Sequence, residues 1–238
     1  MSSQPIAPGS CRPEIEILLT EGKNHLLAAL EPTPLRFAPG DALMRLGEEH
    51  EYLYVVEEGW LARSRTLEDG RRQIMVLFLS GDFCGIKTMF LERQPDAIEA
   101  LTPAIARRIH YRAASTLAAG DFAVAMFLAW QLALDERHLH NWVVRLGRGD
   151  AEERLAALLL EIRERMGARG LDVSRGYALP ITQQQIADHI GLTVVHVNRV
   201  LRRFRQLEMV ALQRGRVLLL DNFAALEDAA RPVQDVTV

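Results

Sequence analysis

Only two cysteines, Cys11 and Cys84, occur in the 238 residues. That excludes a disulfide framework and suits a reducing compartment. It also falls short of the four thiolate ligands per chain that an iron–sulfur cluster takes, so such a cluster is rejected. Long apolar runs are missing too. The longest, FAVAMFLAW at 122–130, is far shorter than the roughly 20 residues of a membrane helix. The stretch MSSQPIAPGSCRPEIEILL lacks a basic segment leading into an apolar core, which predicts no signal peptide and a cytoplasmic protein. Histidine is sparse where a metal-dependent jelly-roll enzyme would need it clustered: residues 34–105 contain only His50. No nucleophile elbow, phosphate loop or H-E-x-x-H pattern is present, so the enzyme reading has no residues to stand on.

A strong overall charge is also lacking. The formal net charge is −3, which gives no global reason to expect a polyanionic partner. The distribution does. Residues 191–216 carry six arginines (199, 202, 203, 205, 214 and 216) against the single acid Glu208, a local charge of +5 in an acidic remainder.

Along the chain, residues 14–30 read as a short helix with Ile15, Leu18, Leu19, Leu26 and Leu27 on its apolar positions. From 34 to about 110 short β-type runs are punctuated by Gly40-Asp41, Glu58-Gly59, Asp69-Gly70 and Gly81-Asp82, the spacing of an antiparallel sandwich or barrel. Residues 121–146 suit one long helix. Leu128, Leu132, Asp135, Leu139, Trp142 and Leu146 follow a 4-3-4-3-4 spacing that predicts a dimer seam, with Phe122, Met126, Ala129 and Ala133 left to pack on the chain's own sheet. Asp135 is the costly member of that seam unless it is paired. GRGD at 147–150 predicts a hinge, and Asp150 with Glu153 a capping box opening a helix through Met166.

The most informative stretch is ITQQQIADHIGLTVVHVNRVLRRF, residues 181–204. Thr182 and Gln185 predict a capping box, Gly191 a left-handed turn, and Thr193 the cap of a second helix whose inward positions are Val194, Val197, Val200, Leu201 and Phe204. That is a helix-turn-helix unit, followed by two β-type runs about Arg214-Gly215 that predict a wing. Such a unit inserts the start of its second helix into the DNA major groove. Thr182, Gln183, Thr193, Val195, His196, Asn198 and Arg199 are the candidate contacts at the helix starts. Arg199 has the geometry for guanine, while Arg202 and Arg203 suit the phosphate backbone. A sequence-independent architectural DNA binder is the alternative, and base-reading side chains at the helix start argue against it.

With these motifs in place, residues 20–225 resemble the Crp/Fnr family of bacterial transcription regulators. The resemblance implies an α+β chain: a cyclic-nucleotide-binding-like β-roll (residues 1–118), a dimerisation helix (119–147) and a winged helix-turn-helix (148–238). It implies a homodimer on an inverted-repeat operator that contacts RNA polymerase, with no membrane partner. Many members carry a glutamate early in the reading helix; here that position aligns with Val195, while the family's reading arginine is kept as Arg199. The effector segment aligns with Gly85, Ile86, Lys87 and Asp96. Ile86 replaces the glutamate of cyclic-AMP-binding relatives and Pro95-Asp96 the arginine–serine pair, which argues against a cyclic nucleotide. A haem would have only His50, His110 or a cysteine for axial ligation. No cofactor is expected, and Cys84 is left open as a redox switch.

Overall fold

The computed structural model describes residues 12–174, 176–213, 216–219 and 222–233. It divides into two compact units, Met1–Arg65 with Met75–Arg137, and Thr66–Ile74 with His138–Val238. The division falls inside the long helix rather than at the Gly147–Asp150 segment, because the two halves of that helix are buried by different parts of the chain.

Helix α1 (Pro13–Ala28) leads into eight strands, all in the first unit except Thr66 of β4 and Arg72–Ile74 of β5: β1 (Leu35–Phe37), β2 (Ala42–Met44), β3 (Tyr52–Glu58), β4 (Leu61–Thr66), β5 (Arg72–Phe78), β6 (Phe83–Cys84), β7 (Ala97–Ala100) and β8 (Ala104–His110). They form two four-stranded sheets ordered β1-β8-β3-β6 and β2-β7-β4-β5, whose registered pairs are antiparallel. Alternation along β3 explains why nearly all of it is apolar. Tyr54 and Val56 point between the sheets with Leu61, Val76, Ile98 and Ala106, whereas Leu53 and Val55 point outward under helices. Helix α2 (Tyr111–Gly120) and the start of α3 (Phe122–Arg148) cover that outer face, with Phe127 edge-on to Phe83 at 5.0 Å. Gly22 lets α1 sit directly on α3: a Cβ there would lie 2.0 Å from the Ala123 carbonyl oxygen. Asp121 caps α3 by accepting from the Ala123 and Val124 amides, and His25 binds its other oxygen at 2.6 Å.

The second unit contains the C-terminal half of α3, α4 (Ala151–Gly167), α5 (Gln183–Ile190), α6 (Val194–Gln206), the hairpin β9 (Val210–Gln213) and β10 (Arg216–Leu219), and α7 (Phe223–Ala230). The Asp150–Glu153 capping box is present. From it α4 buries Leu155, Leu158, Leu159 and Ile162, while Met166 at its end is half-buried. Beside this apolar packing lies a buried polar cluster. Arg145, only 3% exposed, pairs with Glu161 and stacks over Trp142 at 4.8 Å, and Trp142 meets the His189 ring at 4.3 Å.

The predicted dimer seam is therefore turned inward. Leu128 belongs to the core beneath β3, Leu132 packs against it, Trp142 is buried on His189, and the Leu146 side chain borders Gly191. Leu139 is half-buried. Asp135 is paired within its own chain, its carboxylate 2.9 Å from Arg63. The opposite stripe is the exposed one: Phe122, 71% exposed, Ala129, Ala133, Glu136, His140 and Val143 face solvent, and Met126 is half-buried. A heptad seam and a helix packed on its own sheet share the same i, i+3, i+4 spacing, so periodicity alone cannot assign the faces.

Candidate nucleic-acid interface

The local geometry of the two short helices follows from their end residues. The Thr182 hydroxyl accepts from the Gln185 amide while the Gln185 side chain returns to the Thr182 amide, closing the first end of α5. Gly191 ends α5 at φ 67°, a backbone that side chains with a Cβ rarely adopt. Thr193 then accepts from the His196 amide and starts α6. Ile186, Ala187, Ile190, Val197, Val200, Leu201 and Phe204 are all buried, which locks the pair together and dictates which side of α6 faces out.

That outward side carries Val195, His196, Asn198, Arg199, Arg202, Arg203 and Arg205, all exposed. Val195, Arg199 and Arg202 are four and three residues apart, so they form one ridge along the helix. The arginines divide by their partners. Arg203 is bound to Glu152 of α4 at 2.8 Å, and Arg205 donates back to the Leu201 carbonyl at 3.2 Å. Arg199 and Arg202 have no ion-pair partner among the described residues. Thr182 is exposed and Gln183 half-buried at the start of α5. The Arg214–Gly215 turn of the predicted wing lies outside the described residues, as does Cys11. Glu152 escaped the sequence reading: it lies 51 residues from Arg203, and no local pattern links them.

The roll contains a cavity lined by Arg63, Gly85, Lys87, Gln94, Pro95, Asp96 and Ile98, with room for little more than a water molecule. Asp96 closes it. Its carboxylate takes Arg65 at 2.7 Å and Lys87 at 3.6 Å, while Arg63 reaches past it to Asp135. Gly85, Lys87 and Asp96 line this small cavity. Ile86 does not: it is buried in the cluster beneath the helices, because the 3-10 turn Ile86–Met89 directs it away from the cavity. Arg63 and Arg65 were missed, although two cations two apart on a strand share a face. Cys84 is 1% exposed, and burial pushes its thiol up to about 12, which disfavours the thiolate. His50 stacks on Tyr54 at 5.6 Å, and burial lowers its pKa. No group of three or more metal-capable side chains occurs among the described residues, nor any helix long and apolar enough to cross a membrane.

Residues 153–229 match the Crp-like helix-turn-helix domain and residues 34–121 the cyclic nucleotide-binding domain. The fumarate and nitrate reduction regulatory protein of Vibrio cholerae is 27% identical over 191 residues, 80% of this chain and 76% of its own. The protein of the same name from Escherichia coli is 26% identical over 197 residues, 83% of this chain and 78% of its own. Among solved structures, FixK2 from Bradyrhizobium japonicum superposes with a TM-score of 0.77 at 29% identity, covering 83% of this chain and 96% of that one. A CRP-family transcriptional regulator from Thermus thermophilus gives a TM-score of 0.68 at 27% identity, with 83% and 96% covered. The cyclic nucleotide-binding match describes the roll, but its residues do not fit that ligand. Lys87 and Arg65, the cations on this side of the roll, are already paired with Asp96. Both domain matches, in this order around a long helix, and regulators on every side of the comparison lead to one conclusion: the chain belongs to the Crp/Fnr family of DNA-binding transcription regulators.

Proposed function

We propose that the chain acts as a homodimer on an inverted-repeat operator, without a cyclic nucleotide, a haem or an iron–sulfur cluster, in the cytoplasm and in contact with RNA polymerase. The observation that carries the DNA-reading part is the division among the α6 arginines: Arg199 and Arg202 project from the same ridge with no ion-pair partner among the described residues, while Arg203 is tied to Glu152. On this reading Arg199, nearer the helix start, binds a guanine edge, and Arg202, one turn on, binds phosphate. Thr193, His196 and Asn198 flank them. Thr182 and Gln183 meet the backbone at the start of α5, and Arg203 serves mainly to fix α6 on α4.

The dimer reading moves to the exposed stripe of α3. Phe122, Met126, Ala129, Ala133, Glu136, His140 and Val143 recur at 4-3-4-3-4-3 spacing, and the small alanines at its middle let two helices approach closely. The effector reading rests on these ion pairs: Asp96 supplies from within the negative charge that a ligand phosphate would bring to Lys87 and Arg65.

Operator selected from random DNA tests the division of roles. Arg199→Ala should lose about 1–3 kcal/mol on that operator and relax specificity at one base pair. Arg202→Ala should weaken operator and random DNA alike and reduce the salt dependence of binding. Identical behaviour of the two variants would refute the assignment.

A further inference from the structure

We infer that Val195 is a specificity-determining residue that reads the C5-methyl group of a thymine, and that this thymine lies within two base pairs of the guanine bound by Arg199. The inference deepens the DNA-reading function and rests on it. A lone exposed valine is ordinary on a protein surface, so exposure alone decides nothing; position does. Within α6 the other apolar side chains are inward: Val197, Val200, Leu201 and Phe204 are buried and Val194 is half-buried. Val195 is 70% exposed and stands on the ridge with Arg199 and Arg202, in the first turn, the part of a reading helix that meets base edges.

The chemistry at that point is restrictive. An isopropyl group has no donor for guanine or acceptor for the amino protons of cytosine or adenine. The one major-groove feature it complements is the thymine methyl, since burying the two against each other removes apolar surface from water on both sides. The spacing then fixes the neighbourhood. Val195 and Arg199 are four residues apart, about 6 Å along the axis. Base pairs are stacked about 3.4 Å apart, so two side chains on one ridge reach bases no more than two steps from each other.

The test uses the full-length protein and the operator selected from random DNA. Each thymine in the half-site is replaced in turn by deoxyuridine, which removes only the methyl group. The wild-type protein should bind one such operator about fourfold more weakly, as expected for a lost buried methyl. Val195→Ala should bind the thymine and deoxyuridine forms equally, and Val195→Glu should select a different base pair there. Because the side chain is exposed, neither variant has a folding defect to confound the result. If every thymine methyl within two base pairs of the Arg199 guanine proves dispensable, the inference is overturned while the DNA-reading function stands. If no shared sequence is selected at all, both fail together.

Discussion

His189 is a histidine kept neutral by its surroundings. It is 3% exposed, packed edge-on against Trp142, and its Nδ1 lies 3.0 Å from the Ile74 carbonyl, a contact in which the ring nitrogen must donate. Burial, against the pull of Glu161 and that hydrogen bond, brings its pKa to about 4, with Arg165 and Arg145 adding to the lowering. In the unfolded chain the ordinary value is about 6.5. The unfolded state therefore binds more protons between these values. The contribution of neutral His189 is complete above pH 6.5 and is lost as the pH falls towards 4. Between pH 7 and pH 5 the wild-type protein should lose about 2 kcal/mol more in urea unfolding than His189→Gln, which cannot titrate. Equal slopes would show that the ring is not buried as a neutral group. Burial pushes the Glu161 carboxyl up, but Arg145 and Arg165 outweigh it and hold that group below its ordinary range, so its own contribution fades at lower pH. None of this was readable beforehand: His189 looks like any polar residue near the end of a short helix, and its partners lie far away in the chain.

At the scale of single elements, what was readable is what local chemistry determines. The bounds of α5 and α6 follow from Thr182 with Gln185, Gly191 and Thr193, and α4 from Asp150 with Glu153, because capping partners sit within a few residues of each other. The existence of α3 was readable from its apolar periodicity, but which of its faces the chain itself covers was not. Asp135 held the clue. A carboxylate that is unfavourable in a dimer seam is accounted for once Arg63 stands 2.9 Å away on β4, 72 residues earlier in sequence. The two faces predict different failures. Ala133→Glu, on the exposed stripe, should leave unfolding unchanged within about 0.5 kcal/mol yet convert dimer to monomer. Leu132→Asp, on the packed face, should instead destabilise the fold by about 3 kcal/mol or more by placing a carboxylate against the core. Sedimentation together with thermal unfolding separates the outcomes. If Leu132→Asp monomerises a fully stable chain while Ala133→Glu does nothing, the seam lies on the first face after all.

For the whole molecule, the ligand-free reading proposed above raises the question of what sets its activity. A Crp/Fnr chain with an open effector site gains stability from its ligand, by about 2.7 kcal/mol at a hundredfold excess over the dissociation constant. Here Lys87 and Arg65 are already engaged by Asp96, and Arg63 joins β4 to α3 through Asp135. These bonds connect the strands around the cavity to the helix whose free stripe is the proposed dimer surface, so that arrangement is held by the chain itself. Millimolar cyclic AMP should accordingly leave both the melting temperature and operator affinity unchanged, and the apo protein should bind its operator fully. Asp135→Ala should weaken both properties, because it strands the Arg63 guanidinium, whose side chain is only 6% exposed, without its partner. Removing one member of a buried pair costs about 3–5 kcal/mol. Arg63→Met with Asp135→Leu, which removes both charges and keeps the volume, should recover much of that loss. A cyclic-AMP-dependent rise in either measurement, or an Asp135→Ala protein as stable and active as wild type, would mean that the ion pairs merely fill the roll and that its setting is governed elsewhere.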